Sequence, residues 1–151
     1  MIMNKKIQKF YVMVLAILAL MPSTVMGAEI FFNVNAPDLK TNQLFTVDVF
    51  VNSSQVSINA LQGTMLFPSE LVTVRELNYG GSVINFWLEK PTVSHGAVTF
   101  SGIIPGGYKG KQGLLYSVAL VAHQSGDINL QFKNIEVFRN DGSGTAEATI
   151  S

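Results

Sequence analysis

The run from Ala97 to Asp127, AVTFSGIIPGGYKGKQGLLYSVALVAHQSGD, constrains the fold more than any other part of the chain. It begins with an alternating strand in which Val98 and Phe100 point one way and Thr99 and Ser101 the other. A glycine-rich crossing follows, carrying Gly102, Pro105, Gly106, Gly107, Gly110 and Gly113. Leu114 to Ala122 is then nearly continuously apolar, until Ser125-Gly126-Asp127 stops it. Apolar residues on both parities predict a strand buried on both faces, or nearly so. A long glycine-rich connection makes a poor tight hairpin. It is better suited to carry the chain out of one sheet and into another, as sandwiches with Greek-key connections require.

The rest of the chain agrees. No helix is predicted after residue 28, and apolar residues recur with period two between turn residues about ten positions apart, the pattern of an all-β sandwich or barrel. Strands are predicted over 29–35, 44–51, 57–67, 71–77, 83–89, 97–101, 114–122, 128–137 and 145–150. The clearest is the second, with Phe45, Val47, Val49 and Val51 inward and Thr46 and Asp48 outward. In the third, Met65 and Phe67 face the core, Ala60, Gln62, Thr64 and Leu66 face out, and Pro68 ends the ladder. In the eighth the phase slips at Lys133-Asn134, which predicts a bulge. Asn140-Asp141-Gly142-Ser143-Gly144 predicts a turn.

Residues 1–28 read as a leader and not as part of the fold. Lys5, Lys6 and Lys9 precede an uncharged apolar run from Phe10 to Met21, and the small residues up to Ala28 make an exit, the order of a secretory signal peptide. The apolar run is shorter than the roughly 20 residues that span a bilayer, and Pro22 ends it, so an uncleaved anchor fits less well. Cleavage is expected after Ala28, with Gly27 the alternative. Residues 29–151 would then form one domain, large enough to fold without disulfides, and the chain has no cysteine. Losing the leader leaves seven basic against ten acidic side chains and no basic stripe, which excludes an electrostatic footprint for nucleic acid. The expected location is extracellular or at the cell surface, with no membrane contact beyond the leader.

Catalytic chemistry is sparse. His95 and His123 have no second ligand at metal spacing, and no nucleophile-elbow motif is present, so neither a metal, a cofactor nor a catalytic residue is assigned. Asp141, Ser143 and Thr145 alternate like calcium ligands, but no glutamate stands at the position an EF-hand loop requires. The aromatics Tyr79, Trp87 and Tyr108 leave open a carbohydrate-binding module that stacks sugar rings on them, unless Trp87 belongs to the core.

In order and spacing, Phe45-Thr46-Val47, Ile58 to Gln62 with Leu66-Phe67-Pro68, Phe100-Ser101-Gly102, Pro105-Gly106-Gly107-Tyr108, Ala122 to Gly126 and Asn140 to Gly144 resemble a cohesin domain over residues 29–151. The resemblance implies a nine-stranded jelly-roll β-sandwich that is not an enzyme. It implies a protein partner, a calcium-loaded dockerin, in polysaccharide-degrading or cell-surface assemblies. It also implies that the partner sits on a flat sheet face built by strands three, five, six and eight. Carried over by parity, that face would present Ala60, Gln62, Thr64, Trp87, Thr99 and Ser101. Two departures stand out. The best-known scaffold cohesins have an Asn and an Asp where this chain has Ala60 and Gln62. They also tend to carry an aspartate where this chain has Pro68.

Overall fold

Phe45, Val47, Val49 and Val51 are all buried along one side of β2 (Leu44–Asn52), as their spacing predicts. The computed structural model describes residues 27–35, 40–124 and 127–150. Residues 1–26, which hold most of the expected leader, lie outside that set. Among the described residues there is no helix, and two sheets pack their apolar faces together. The first sheet runs β4 (Val72–Asn78), β7 (Gly113–Ala122), β2, β1 (Ala28–Val34) and β9 (Thr149–Ile150). The second runs β5 (Phe86–Ser94), β6 (Ala97–Tyr108), β3 (Ile58–Leu66) and β8 (Gln131–Arg139). All pairings are antiparallel except the two-residue contact of β9 with β1. The sandwich therefore consists of eight full strands and a vestigial ninth.

The crossing between β6 and β7 does change sheets, as the glycine-rich run predicts, but it is shorter than expected. β6 continues through Pro105-Gly106-Gly107 to Tyr108 because those residues form a bulge against β3, where Ile58 pairs Tyr108 and Ala60 pairs Ile103. Gly106 (φ 85) and Gly107 (φ 81) adopt the left-handed backbone the bulge needs. At Gly107 a Cβ would also lie 2.3 Å from Asn140 Nδ2. Only residues 109–112 remain to span the sheets.

Three further expectations are corrected. β7 is buried on one face only. Its alternate residues Ser117, Ala119 and Val121 are half-buried between β2 and β4, and no third layer covers them. β5 begins at Phe86 and runs on through Pro91, which falls in the register shift between Glu89 and Thr92 on an edge strand, where proline is tolerated. The last strand is reduced to Thr149–Ile150, preceded by a single bridge between Ala146 and Phe138. The slip in β8 is the predicted bulge, with Asn134 at φ 53 and a register shift opposite Gln62 and Thr64.

Leu61, Met65, Val98, Phe100, Leu115, Val118, Leu120 and Val137 fill the space between the sheets. Tyr116 lies fully buried among them, its ring 5.2 Å from that of Phe100. Its hydroxyl has no protein hydrogen-bond partner, and burial pushes the phenol pKa above its ordinary range. A buried donor left unpaired costs about 1–3 kcal/mol. Tyr116→Phe, which deletes that group and keeps the ring, is expected to raise unfolding stability by about 1 kcal/mol in urea titration.

Candidate docking face

The inward residues of the four-stranded sheet decide which residues face out. On β3, Leu61, Gly63 and Met65 point to the core, which turns Ala60, Gln62, Thr64 and Leu66 outward. On β6, Val98, Phe100, Gly102 and Ile104 point inward, which turns Ala97, Thr99, Ser101 and Ile103 outward. Strand register then aligns these residues with those of the two edge strands in four transverse rows. Phe86, Ile103, Ala60 and Phe138 make an apolar row, and Glu89, Ser101, Gln62 and Glu136 make a polar one. Thr92, Thr99, Thr64 and Lys133 form the third row, and Ser94, Ala97, Leu66 and Gln131 the fourth. Same-face neighbours along a strand are about 7 Å apart, so adjacent rows lie within reach of one partner surface.

Two side-chain hydrogen bonds tie this face together. Gln62 Nε2 donates to Glu136 Oε2 at 2.8 Å, and Thr99 Oγ1 donates to Glu89 Oε1 at 2.9 Å. Between them lies a shallow depression of about 200 Å³, lined by Gln62, Thr64, Glu89, Thr99, Ser101 and Asn134. On the inner side of the sheet, two glycines leave room for isoleucine side chains. A Cβ on Gly63 would sit 2.2 Å from Ile135 Cδ1, and one on Gly102 would sit 2.3 Å from Ile84 Cγ2.

Five of the six residues expected on this face lie together on it: Ala60, Gln62, Thr64, Thr99 and Ser101. Trp87 does not. It pairs with the inward-facing Gly102, is half-buried, and packs against the core. Simple parity fails on β5 because register shifts lie between Trp87 and Glu89 and again between Glu89 and Thr92. They bring Glu89 opposite Ser101. Phe86 and Glu89 on β5, and Glu136 and Phe138 on β8 past the Asn134 bulge, escape the sequence reading because their places are set by register with β6 and β3.

The aromatics considered for sugar stacking do not form a planar strip. Tyr79 meets Trp87 edge-on at 66°, with centroids 5.6 Å apart. Tyr108 is half-buried and folds back over Gly110 and Gly113, where an added Cβ would be 2.5 Å from its hydroxyl and 2.7 Å from its ring, respectively. Both histidines are exposed; His123 Nε2 is 2.6 Å from Thr73 Oγ1, and His95 Nδ1 is 2.7 Å from Ser94 Oγ. Among the described residues no group of three or more His, Asp or Glu could hold a metal ion. In the Asn140–Gly144 turn, hydrogen bonds from the Thr145 hydroxyl and the Ser143 N–H hold the Asp141 carboxyl below the usual carboxylate range. The would-be calcium ligand thus caps its own turn. The buried carboxylate of Glu147 is paired with Arg139.

No protein-family model matches the sequence, and no curated protein matches it. Solved structures do. A non-cellulosomal cohesin from the archaeon Archaeoglobus fulgidus superposes with a TM-score of 0.63 at 15% identity, covering 80% of this chain and 84% of that one. The cohesin module of a Clostridium perfringens family 33 glycoside hydrolase gives 0.65 at 12% identity, covering 82% and 90%. A type I cohesin–dockerin complex from Clostridium thermocellum gives 0.64 at 9% identity, covering 82% and 87%. The fold is that of a cohesin module. Its four-stranded sheet, β5, β6, β3 and β8, is made of the same strands by number that the resemblance assigns to the docking face.

The inward Trp87 leads to a first test at this site. Trp87→Ala is expected to lower unfolding stability by about 2–3 kcal/mol in chemical denaturation, as truncation of a partly buried aromatic does. Gln62→Arg, on the exposed face, is expected to leave stability within about 0.5 kcal/mol of the parent.

Proposed function

We propose that this chain is an exported, non-catalytic cohesin-like module that holds a dockerin-type protein on the outward face of β5, β6, β3 and β8. The observation that carries the proposal is the set of four aligned rows. They set two polar rows, Glu89 to Glu136 and Thr92 to Lys133, beside the apolar Phe86–Phe138 row on the outward side of one sheet. Such a surface offers another protein apolar and polar contacts side by side, the two kinds that protein interfaces combine. It suits a sugar chain poorly, because Tyr79 and Trp87 stand edge to face. The cohesin fold supports the same reading, and so does the dockerin bound to the cohesin of the Clostridium thermocellum complex.

Titration calorimetry against a panel of calcium-loaded dockerin modules tests this. Calcium-dependent binding is expected, lost in Gln62→Arg and in Thr99→Arg while the fold persists. Binding that survives both substitutions contradicts the assignment of the face. So does binding to insoluble cellulose or chitin that is lost in Trp87→Ala, with every dockerin silent.

Export is the second part of the proposal, and β1 bears on where the leader ends. No helix of the described residues is long and apolar enough to cross a membrane. Ala28 is fully buried, pairs with Thr149, and donates its N–H to Ala148 O at 3.0 Å. Cleavage after Ala28 would remove a strand residue, whereas cleavage after Gly27 keeps it. N-terminal sequencing of the secreted protein is expected to begin at Ala28; a start at Glu29 contradicts this.

A further inference from the structure

We propose that the partner seated on this face brings a basic side chain, arginine or lysine, over the Glu89–Glu136 row, beside an apolar side chain over the Phe86–Phe138 row. This rests on the docking reading above and adds the chemistry of the occupant. Each carboxylate is held by a single neutral donor, Gln62 for Glu136 and Thr99 for Glu89. Those donors stand on the two central strands, so both carboxylates lean from the sheet edges toward its middle. Among the described residues no cation forms an ion pair with either one. The ion pair found among the described residues joins Arg139 to Glu147, and the Lys90 ammonium lies 5.7 Å from the centroid of the Tyr79 ring. Lys133 stands one row away on the β8 edge and makes no ion pair among the described residues.

An ionised carboxylate has about four lone-pair positions, and one hydrogen bond leaves most of them to water. A neutral or acidic partner would strip that water and leave two uncompensated charges under it, which is strongly unfavourable. A guanidinium or ammonium replaces the water with charge-assisted hydrogen bonds and speeds encounter. The adjacent row supplies the non-directional part. Phe86 is 57% exposed and Leu88, the next-but-one residue on the same edge strand, is 63% exposed, while Ile103 and Phe138 are half-buried. Burying large apolar groups beside a compensated charge is the arrangement of an energetically dominant contact.

The chain from Ala28 onward carries all nine strands and is the protein to use. It is titrated with calcium-loaded dockerin modules chosen to present either basic or acidic contact surfaces, at low and at high salt. Binding is expected to be confined to the basic set and to weaken with salt. The double variant Glu89→Gln/Glu136→Gln is expected to lose roughly tenfold or more in affinity and most of its salt dependence. Phe86→Ala is expected to weaken binding without changing the salt dependence. Equal binding of the acidic set, or a double variant with unchanged affinity and salt response, overturns the proposal. Thr64→Arg separates the two readings. If it abolishes binding while the double variant does nothing, docking stands and the charge assignment falls. If Thr64→Arg is also silent, the docking face itself is wrong.

Discussion

The inward packing of Leu61, Met65, Phe100 and Ile104 is the constraint on which the rest of the structure depends. Side chains alternate along a strand, so burying these four commits every second residue of β3 and β6 to the opposite side. A slip of one residue would place Gln62 and Ser101 in the core and Leu61 and Phe100 in water. The cost of burying unpaired polar groups and exposing large apolar ones forbids it. The proposed docking face is therefore not held by contacts of its own. It is the reverse side of the core, and its two hydrogen bonds only adjust where the carboxylates point.

That dependence also explains what the sequence could and could not tell. β2 and β3 were readable because an antiparallel strand with one dry face alternates cleanly, as Phe45 to Val51 and Met65 do. The bulge at Lys133-Asn134 was readable because the apolar phase visibly slips there. Trp87 was misplaced because β5 is an edge strand with two register shifts and an internal proline, and parity cannot be counted across a bulge. Glu89, Glu136, Phe86 and Phe138 gain their meaning only from cross-strand register, a long-range property invisible to local pattern. The reach of β6 through Pro105-Gly106-Gly107 was hidden for a similar reason. Residues that usually end a strand here form a bulge that continues it.

The same irregularities protect the molecule. A sandwich leaves sheet edges that can pair with other chains. In the four-stranded sheet, β5 carries Pro91 and two register shifts, and β8 carries a bulge at Asn134. Both edges are thus poor templates for strand addition, while Gly63 and Gly102 admit Ile135 and Ile84 beneath the outward face.

Hydrogen exchange on the complex tests the central claim most directly. With a bound dockerin module, slowed exchange is expected at the amides of β3 and β6, residues 58–66 and 97–104, and at the adjoining β8. The outward side of β2 and β7 should be unchanged. Protection confined to residues 44–52 and 113–122 would place the partner on the other sheet and contradict the account.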